Sequence, residues 1–388
     1  MKKRVIHIVN DLVIGGVTTI ISDLLKNYKH SDYHQCIVCL TDVVDQKNLE
    51  QFRLLGVEII FLKYSIQQPN GLTGLFKMSL FEFFRKKKNQ SVISAIASLK
   101  PDIINFHTLP TELYLGRGVS EKHPCILLYT DHSTRLKISE MKYFSALLIK
   151  WPYILFYKNY NVIAVSHSVK NYIFQFKINK SLKSITVITN KINGNKLRIT
   201  NHSKTSLNLV YVSRISNLKG HEELIEAYRE FPPLGLILYI VGPDNLNGEI
   251  KELASKVINN KVVFTGSINN VKEFILNMDI GLFPSHKEGL PISLLEKMQV
   301  GLPCIVSDIE ELTSVIKDEE DGLVFKKGDK EDLKIKILKL IYDSNLRKKL
   351  GQNAALKIEN QFVSKIGGLN NEYENLYSQI LKQSSVKL

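Results

Sequence analysis

Short apolar runs alternate along this chain with segments whose apolar residues recur at helical spacing. The runs Val5–Val9, Gln35–Leu40, Val57–Leu62, Asp102–Phe106, Cys125–Tyr129, Val162–Val165 and Ile185–Ile188 predict strands. Patterns such as Val17–Tyr28, Ser91–Leu99 and Val169–Phe176 predict helices between them. A strand–helix–strand repeat of this kind builds a parallel sheet covered on both faces. The stretch Asn190–Asn208, rich in Asn, Lys, Ser and Thr, reads as a linker. Alternation then restarts at Leu209–Val212, Leu236–Val241, Lys261–Thr265, Asp279–Phe283, Cys304–Val306 and Leu323–Phe325, followed by two helical runs, Glu331–Ile358 and Lys365–Leu381. The expected fold class is α/β, with two doubly wound, Rossmann-like domains facing across a cleft. The predicted boundaries are 1–195, 196–360 and a terminal helical segment 361–388.

Composition agrees with a globular chain of more than one core: 388 residues, 44% apolar and 23% charged. No uninterrupted apolar run is long enough to span a bilayer. The N-terminus enters a strand-like run without the apolar core of a signal peptide. The cysteines Cys36, Cys39, Cys125 and Cys304 each sit in an apolar, strand-like segment. Residues three apart on a strand face opposite sides, so Cys36 and Cys39 are expected to be buried, reduced thiols, which suits a cytoplasmic location.

Charge changes the picture. The net charge is +14, yet residues 1–200 hold 28 Lys and Arg against 13 Asp and Glu, while residues 201–388 hold 24 against 25. An acidic partner for the first half is implied: anionic lipid, nucleic acid or a phosphorylated acceptor. The segments Phe81–Lys88 and Phe144–Tyr160 interleave aromatic, aliphatic and basic residues, as a membrane-interface segment does. A core helix with exposed lysines reads the second segment equally, and Pro152 interrupts any single helix there. No nucleic-acid-binding motif is present, so nucleic acid is not the expected partner.

The chemistry concentrates in Phe283–Asp308. Glu288 and Glu296 bracket a Gly289-Leu290-Pro291 turn that opens a helix between two strands. Pro291 suits the first helical turn, and the N–H groups of Leu290, Ile292 and Ser293 with the helix dipole favour an anion, most naturally phosphate. Carboxylates on both sides suit hydroxyls flanking that phosphate, the layout of a sugar nucleotide. In Ser213–Gly220, Arg214 and Lys219 follow the first strand of the second half, where open α/β sheets bind ligands, and offer cations to a departing diphosphate. Gly15 and Gly16 join the first strand to the first helix, where backbone can approach a ligand, although the pattern is not G-x-G-x-x-G. His132, after the strand Cys125–Tyr129, is a candidate donor to a sugar hydroxyl or phosphate oxygen; a structural histidine is the competing reading. No Asp-x-Asp pair, P-loop or zinc quartet appears, so neither metal nor cofactor is expected.

Together E-G-L-P-I-S-L-L-E (Glu288–Glu296), S-R-I-S-N-L-K-G (Ser213–Gly220), V-V-F-T-G (Val262–Gly266), Gly15-Gly16 and A-V-S-H-S (Ala164–Ser168) resemble the family 4 retaining glycosyltransferases of the GT-B fold, especially bacterial enzymes of capsule, exopolysaccharide or O-antigen assembly. The resemblance implies an acceptor-binding first domain, a donor-binding second domain and a last helix, with Phe362 and Tyr373, that crosses back to the first. It implies Arg214 and Lys219 as the diphosphate clamp, Glu288 facing the donor sugar, Glu296 on the ribose and His132 near the sugar. It also places Gly15, Gly16, Gly266, Gly289, Leu290, Pro291 and Ile292 at the donor. The activity implied is metal-independent, retaining transfer of a hexose-type sugar from a UDP-sugar to a lipid-linked saccharide, on the cytoplasmic face of the inner membrane, held there through the basic first domain. A GT-B sugar-nucleotide epimerase and a non-catalytic assembly scaffold are the rival readings. The family's interdomain V-I-P-N-G-I-D run appears here as V-I-T-N-K-I-N (Val187–Asn193), which bears on the linker more than on the chemistry.

Overall fold

The computed structural model describes residues 2–13, 15–26, 30–64, 89–108, 112–132, 154–155, 157–175, 178–192, 194, 206–257, 259–268, 270–363 and 368–385. They form two compact units, Met1–Asn190 with Ile366–Leu388, and Lys191–Lys365. Phe81–Lys88 and most of the 144–160 segment lie outside the described residues. At the end of the latter, Tyr157 and Tyr160 are wholly buried, donating to Asp131 Oδ2 at 2.6 Å and to the Leu113 carbonyl at 2.5 Å. Those two rings therefore serve the core and not a membrane surface.

The first unit contains β1 (Lys3–Val9), β2 (Tyr33–Cys39), β3 (Glu58–Phe61), β4 (Ile103–Phe106), β5 (Ile126–Asp131), β6 (Asn161–Ala164) and β7 (Ser184–Val187), with α1 (Gly16–Leu25), α2 (Gln46–Leu54), α3 (Gln90–Ser98), α4 (Tyr114–Lys122) and α5 (His167–Gln175). All pairings are parallel, in the order β3-β2-β1-β4-β5-β6-β7. Strand periodicity sends Cys36 and Val38 into one core with Ile6, Ile8 and Phe106, and Ile37 and Cys39 into another with Val9, Ile21 and Phe52. Both faces are dry, and Cys36 and Cys39 point to opposite sides. All four thiols are free, and burial pushes those of Cys36 and Cys39 up to about 12. Cys125 is only half-buried, because β5 begins one residue later. The C-terminal helix, Gly368–Ser385, packs on this unit. Its Tyr373 and Tyr377 are buried, and its Ser378 Oγ lies 2.7 Å from the Tyr33 hydroxyl.

The second unit contains β8 (Asn208–Val212), β9 (Ile237–Val241), β10 (Lys261–Gly266), β11 (Ile280–Phe283), β12 (Cys304–Ser307) and β13 (Leu323–Phe325), with α6 (His221–Arg229), α7 (Glu249–Ala254), α8 (Val271–Ile275), α9 (Ile292–Gln299), α10 (Glu310–Thr313), α11 (Lys330–Tyr342) and α12 (Ser344–Gln361). Its parallel sheet runs β10-β9-β8-β11-β12-β13. The chain builds outward from β8 in one direction and then restarts beside it with β11. That reversal leaves a crevice at the carboxyl ends of β8 and β11, the general ligand position of such sheets. The expected helical run Glu331–Ile358 is two helices. Asp343 takes an extended conformation (φ −113°, ψ 92°) and its carboxylate accepts from the Leu346 N–H at 2.8 Å, so one residue ends α11 and caps α12. Among the described residues, no helix is long and apolar enough to cross a membrane.

Candidate active site

Two loops leave the second unit's crevice and are tied together by backbone. After β8, the Ser213 N–H donates to the Val241 carbonyl at 2.9 Å and the Ile215 N–H to the Pro243 carbonyl at 2.9 Å, so the Arg214 segment is pinned beside the end of β9. This approach needs glycine at 242: its φ is 143°, and a Cβ there would lie 2.1 Å from the Ser213 carbonyl oxygen. The chain then makes a tight turn, Asn217–Lys219, closed by Gly220 at φ 65°. A Cβ on Gly220 would lie 2.0 Å from the Pro284 carbonyl oxygen, in the loop after β11. The His286 N–H donates to the Leu218 carbonyl at 3.0 Å, completing the link.

These contacts bring Lys219 to Glu288. Lys219 Nζ lies 2.6 Å from Glu288 Oε1 and 3.3 Å from the Lys287 carbonyl. Ser285 Oγ donates to the same Glu288 oxygen at 2.7 Å. Beneath them the Tyr211 hydroxyl lies 2.8 Å from both the Lys219 carbonyl and Ser285 Oγ. Burial, helped by the nearby Glu288 carboxylate, pushes the Tyr211 phenol well up, so it stays a neutral strut. His221 stacks on Tyr211 with centroids 4.7 Å apart; burial, and then the Lys219 ammonium, pull its pKa down to about 4. Arg214 behaves differently: its exposed side chain makes no hydrogen bond or ion pair among the described residues. The crevice thus holds one cation already matched by a carboxylate and one available to an anion.

Helix α9 starts at Ile292, and Pro291 is its N-cap in an extended conformation (φ −72°, ψ 117°), one position earlier than the sequence suggested. Proline has no side-chain acceptor, so the first N–H groups of α9, those of Ile292 and Ser293, gain neither a cap nor an intrahelical partner. Ser293 Oγ reaches the Val212 carbonyl at 3.4 Å, which sets this helix start beside the end of β8 and the Arg214 loop. Glu296, one turn on, is mostly buried and has Lys272 Nζ 3.8 Å away. Gly289 and Leu290 are buried in the turn itself. Gly266 ends β10 at φ 66°, and its carbonyl accepts from the Gly242 N–H at 2.9 Å.

The remaining candidates belong to the first unit. Gly15, extended at φ 176°, precedes α1, and its carbonyl accepts from the Thr18 and Thr19 hydroxyls at 2.8 and 3.1 Å. A Cβ on Gly15 or Gly16 would meet nothing within 4 Å, so both border open space. His132 directly follows β5, and its Nε2 lies 2.9 Å from His107 Nδ1. His107 Nε2 lies 3.1 Å from His7 Nδ1. Burial lowers the pKa of His7 to about 4 and that of His107 well below its ordinary value.

Several of these residues escaped the sequence reading. His7 lies within β1, two residues before its end, and His107 directly follows the adjacent β4, a juxtaposition visible only once the strand order is known. Ser285 lies inside Phe283–Asp308, where the sequence gives it no role. Lys272 gave no signal in the sequence. Lys297 did give one: it falls three residues after Leu294, on the apolar face of α9. It is wholly buried, its ammonium 4.1 Å from the Phe283 ring centroid, with no hydrogen-bond partner among the described residues. Burial pushes its pKa down to about 8. Gly281 makes room for its stem, since a Cβ there would lie 2.8 Å from Lys297 Cδ and 2.9 Å from Cys304 Sγ.

Residues 194–357 match the family model described as glycosyl transferases group 1. The chain is 28% identical over 360 residues to the capsular polysaccharide biosynthesis glycosyltransferase CapM of Staphylococcus aureus, covering 88% of this chain and 90% of that protein. It is 25% identical over 360 residues to the UDP-Gal:alpha-D-GlcNAc-diphosphoundecaprenol alpha-1,3-galactosyltransferase of Escherichia coli, covering 85% and 92%. Among solved structures, Anabaena Alr3699/HepE in complex with UDP-glucose superposes with a TM-score of 0.75 at 18% identity, covering 97% of this chain and 99% of that one. That likeness concerns the fold, which is GT-B.

Proposed function

We propose, for a glycosyltransferase whose residues 194–357 match the group 1 glycosyl transferase model, that it moves a hexose-type sugar from a UDP-sugar to a lipid-linked saccharide during surface polysaccharide assembly, with retention at the anomeric carbon and without a metal. The observation that carries this reading is the convergence of Arg214, the Lys219–Glu288 pair and the uncapped start of α9 at the carboxyl ends of β8 and β11. As the bond between the anomeric carbon and the β-phosphate oxygen breaks, negative charge grows on that phosphate. Lys219 and the N–H groups of Ile292 and Ser293 are fixed in advance to receive it, which is preorganised electrostatic stabilisation, and Arg214 reaches out from a backbone pinned beside them. These cations supply the charge that a metal bridge supplies elsewhere, and the sequence has no Asp-x-Asp pair to hold one. In the resting site Glu288 neutralises Lys219; an incoming diphosphate would take the ammonium over and leave the Glu288 carboxylate for the hydroxyls of the sugar.

The acceptor hydroxyl oxygen forms the new bond on the face the phosphate leaves, and its proton passes to the departing phosphate oxygen. Glu296 is assigned to the ribose, Gly16 to the donor phosphate, Gly15, Gly266, Gly289, Leu290, Pro291 and Ile292 to the donor, and His132 to the sugar. Lipid-linked acceptors are named for the Escherichia coli relative, and the basic excess of residues 1–200 suits a protein that works against an anionic membrane surface. The test is transfer from a panel of UDP-sugars to an undecaprenyl-diphosphate-linked N-acetylhexosamine. Lys219→Ala should cost about 3 kcal/mol in the transition state, on the order of a hundredfold in kcat, with the fold intact by circular dichroism. Unchanged turnover in that variant would refute the assignment, and release of free sugar or an epimer without acceptor would refute the transferase reading.

A further inference from the structure

His7, His107 and His132 belong to a longer, largely buried chain that has a direction. Glu374, on the C-terminal helix, accepts the Ser31 hydroxyl and, at 3.0 Å, the Asn370 side-chain amide. Ser31 Oγ has spent its one proton on that carboxylate, so towards Gln35, 3.1 Å away, it can only accept. Gln35 must therefore turn its amide nitrogen to Ser31 and its carbonyl oxygen to His7, whose Nε2 lies 3.0 Å from Oε1. A carbonyl oxygen only accepts, so His7 carries its proton on Nε2 and leaves Nδ1 bare. His7 Nδ1 then accepts from His107 Nε2 at 3.1 Å, and His107 Nδ1 accepts from His132 Nε2 at 2.9 Å. His7, Gln35 and Ser31 are at most 1% exposed and His107 is 6% exposed, so water has little access to interrupt the order.

We propose that Glu374 is a positioning residue which, through Ser31, Gln35, His7 and His107, holds the neutral His132 imidazole as its Nε2–H tautomer, leaving Nδ1 to accept and not to give a hydrogen bond. The Nε2 proton is committed to His107, so the neutral His132 imidazole has none on Nδ1 to give to a phosphate oxygen or a sugar hydroxyl. This is the reverse of the donor role its sequence position suggested.

The experiment is long-range proton–nitrogen correlation NMR on the ligand-free full-length protein labelled with 15N-histidine, with the His132 signals assigned by their loss in His132→Gln. The expected pattern is a protonated Nε2 and an unprotonated Nδ1 at His132. Glu374→Ala frees the Ser31 proton and should turn the single tautomer into a mixture, while Glu374→Gln, whose carbonyl oxygen can still accept from Ser31, should restore it. A second break, Gln35→Leu, tests the same chain from inside, with thermal unfolding confirming that each variant is folded. A protonated Nδ1 in the wild-type protein, or a single unchanged tautomer in both folded Glu374→Ala and Gln35→Leu, would overturn the proposal. Because the readout needs no turnover, a protein with the expected tautomer that transfers no sugar would refute the functional reading alone.

Discussion

Replacing Lys297 with methionine should make this protein more stable. Lys297 is 0% exposed, and its ammonium has a ring 4.1 Å away but no hydrogen-bond acceptor among the described residues. Burial lowers its pKa from 10.5 to about 8, and at 1.36 kcal/mol for each pKa unit this puts the cost of the charged form at about 3 kcal/mol. Methionine is unbranched, of similar length and flexible enough to occupy the space Gly281 leaves for the stem. The variant forfeits an ammonium–ring attraction of roughly 0.5–2 kcal/mol, so the net gain at neutral pH is on the order of 1–3 kcal/mol. The sign with pH follows from the direction of the shift. Between about 8 and 10.5 the unfolded chain holds a proton that the native state has released, so wild-type stability rises across that window. Above it, lysine is neutral in both states and the penalty disappears. Urea unfolding followed by circular dichroism at a series of pH values, on wild type and Lys297→Met together, reads this directly. A variant less stable at neutral pH, or two stability curves parallel from pH 8 upward, would refute the reasoning.

Gly220→Ala would force φ 65° on a residue with a Cβ and drive that Cβ onto the Pro284 carbonyl. It should cost at least about 2 kcal/mol and, by moving Lys219 off Glu288, lower kcat more than tenfold; thermal unfolding and initial rates check both. On the acid side, burial lowers the pKa values of His7 and His221 from 6.5 to about 4, and it lowers that of His107 well below its ordinary value. The unfolded chain therefore takes up protons that the native state refuses as pH falls from about 6.5 to 4. Stability should drop through that window at about 1.4 kcal/mol per pH unit for each of these histidines. A shallower loss in His221→Phe than in wild type, read from urea midpoints, confirms the source, and an identical slope counts against it.

The sequence by itself determined the fold class and the order of the elements. Burial on both faces demands near-continuous apolar strands, and these stand out against helical periodicity with no help from tertiary contacts. It also marked Arg214, Lys219, Glu288 and Glu296, because glycine and proline beside them announce turns at strand ends. It did not reveal that Lys219 and Glu288 are ion-paired, since that depends on β8 lying next to β11, and on Gly220 and Gly242 letting backbones approach to distances no Cβ would permit. The break at Asp343 was hidden for a similar reason: an aspartate inside a helical pattern becomes a cap only if the chain turns there. Most plainly, His7, His107 and His132 are far apart in the chain, and of the three only His132 carries a signal in the sequence. Strand order brings them to Gln35, the C-terminal helix adds Glu374 through Ser31, and hydrogen-bond polarity, which periodicity does not encode, follows from that arrangement.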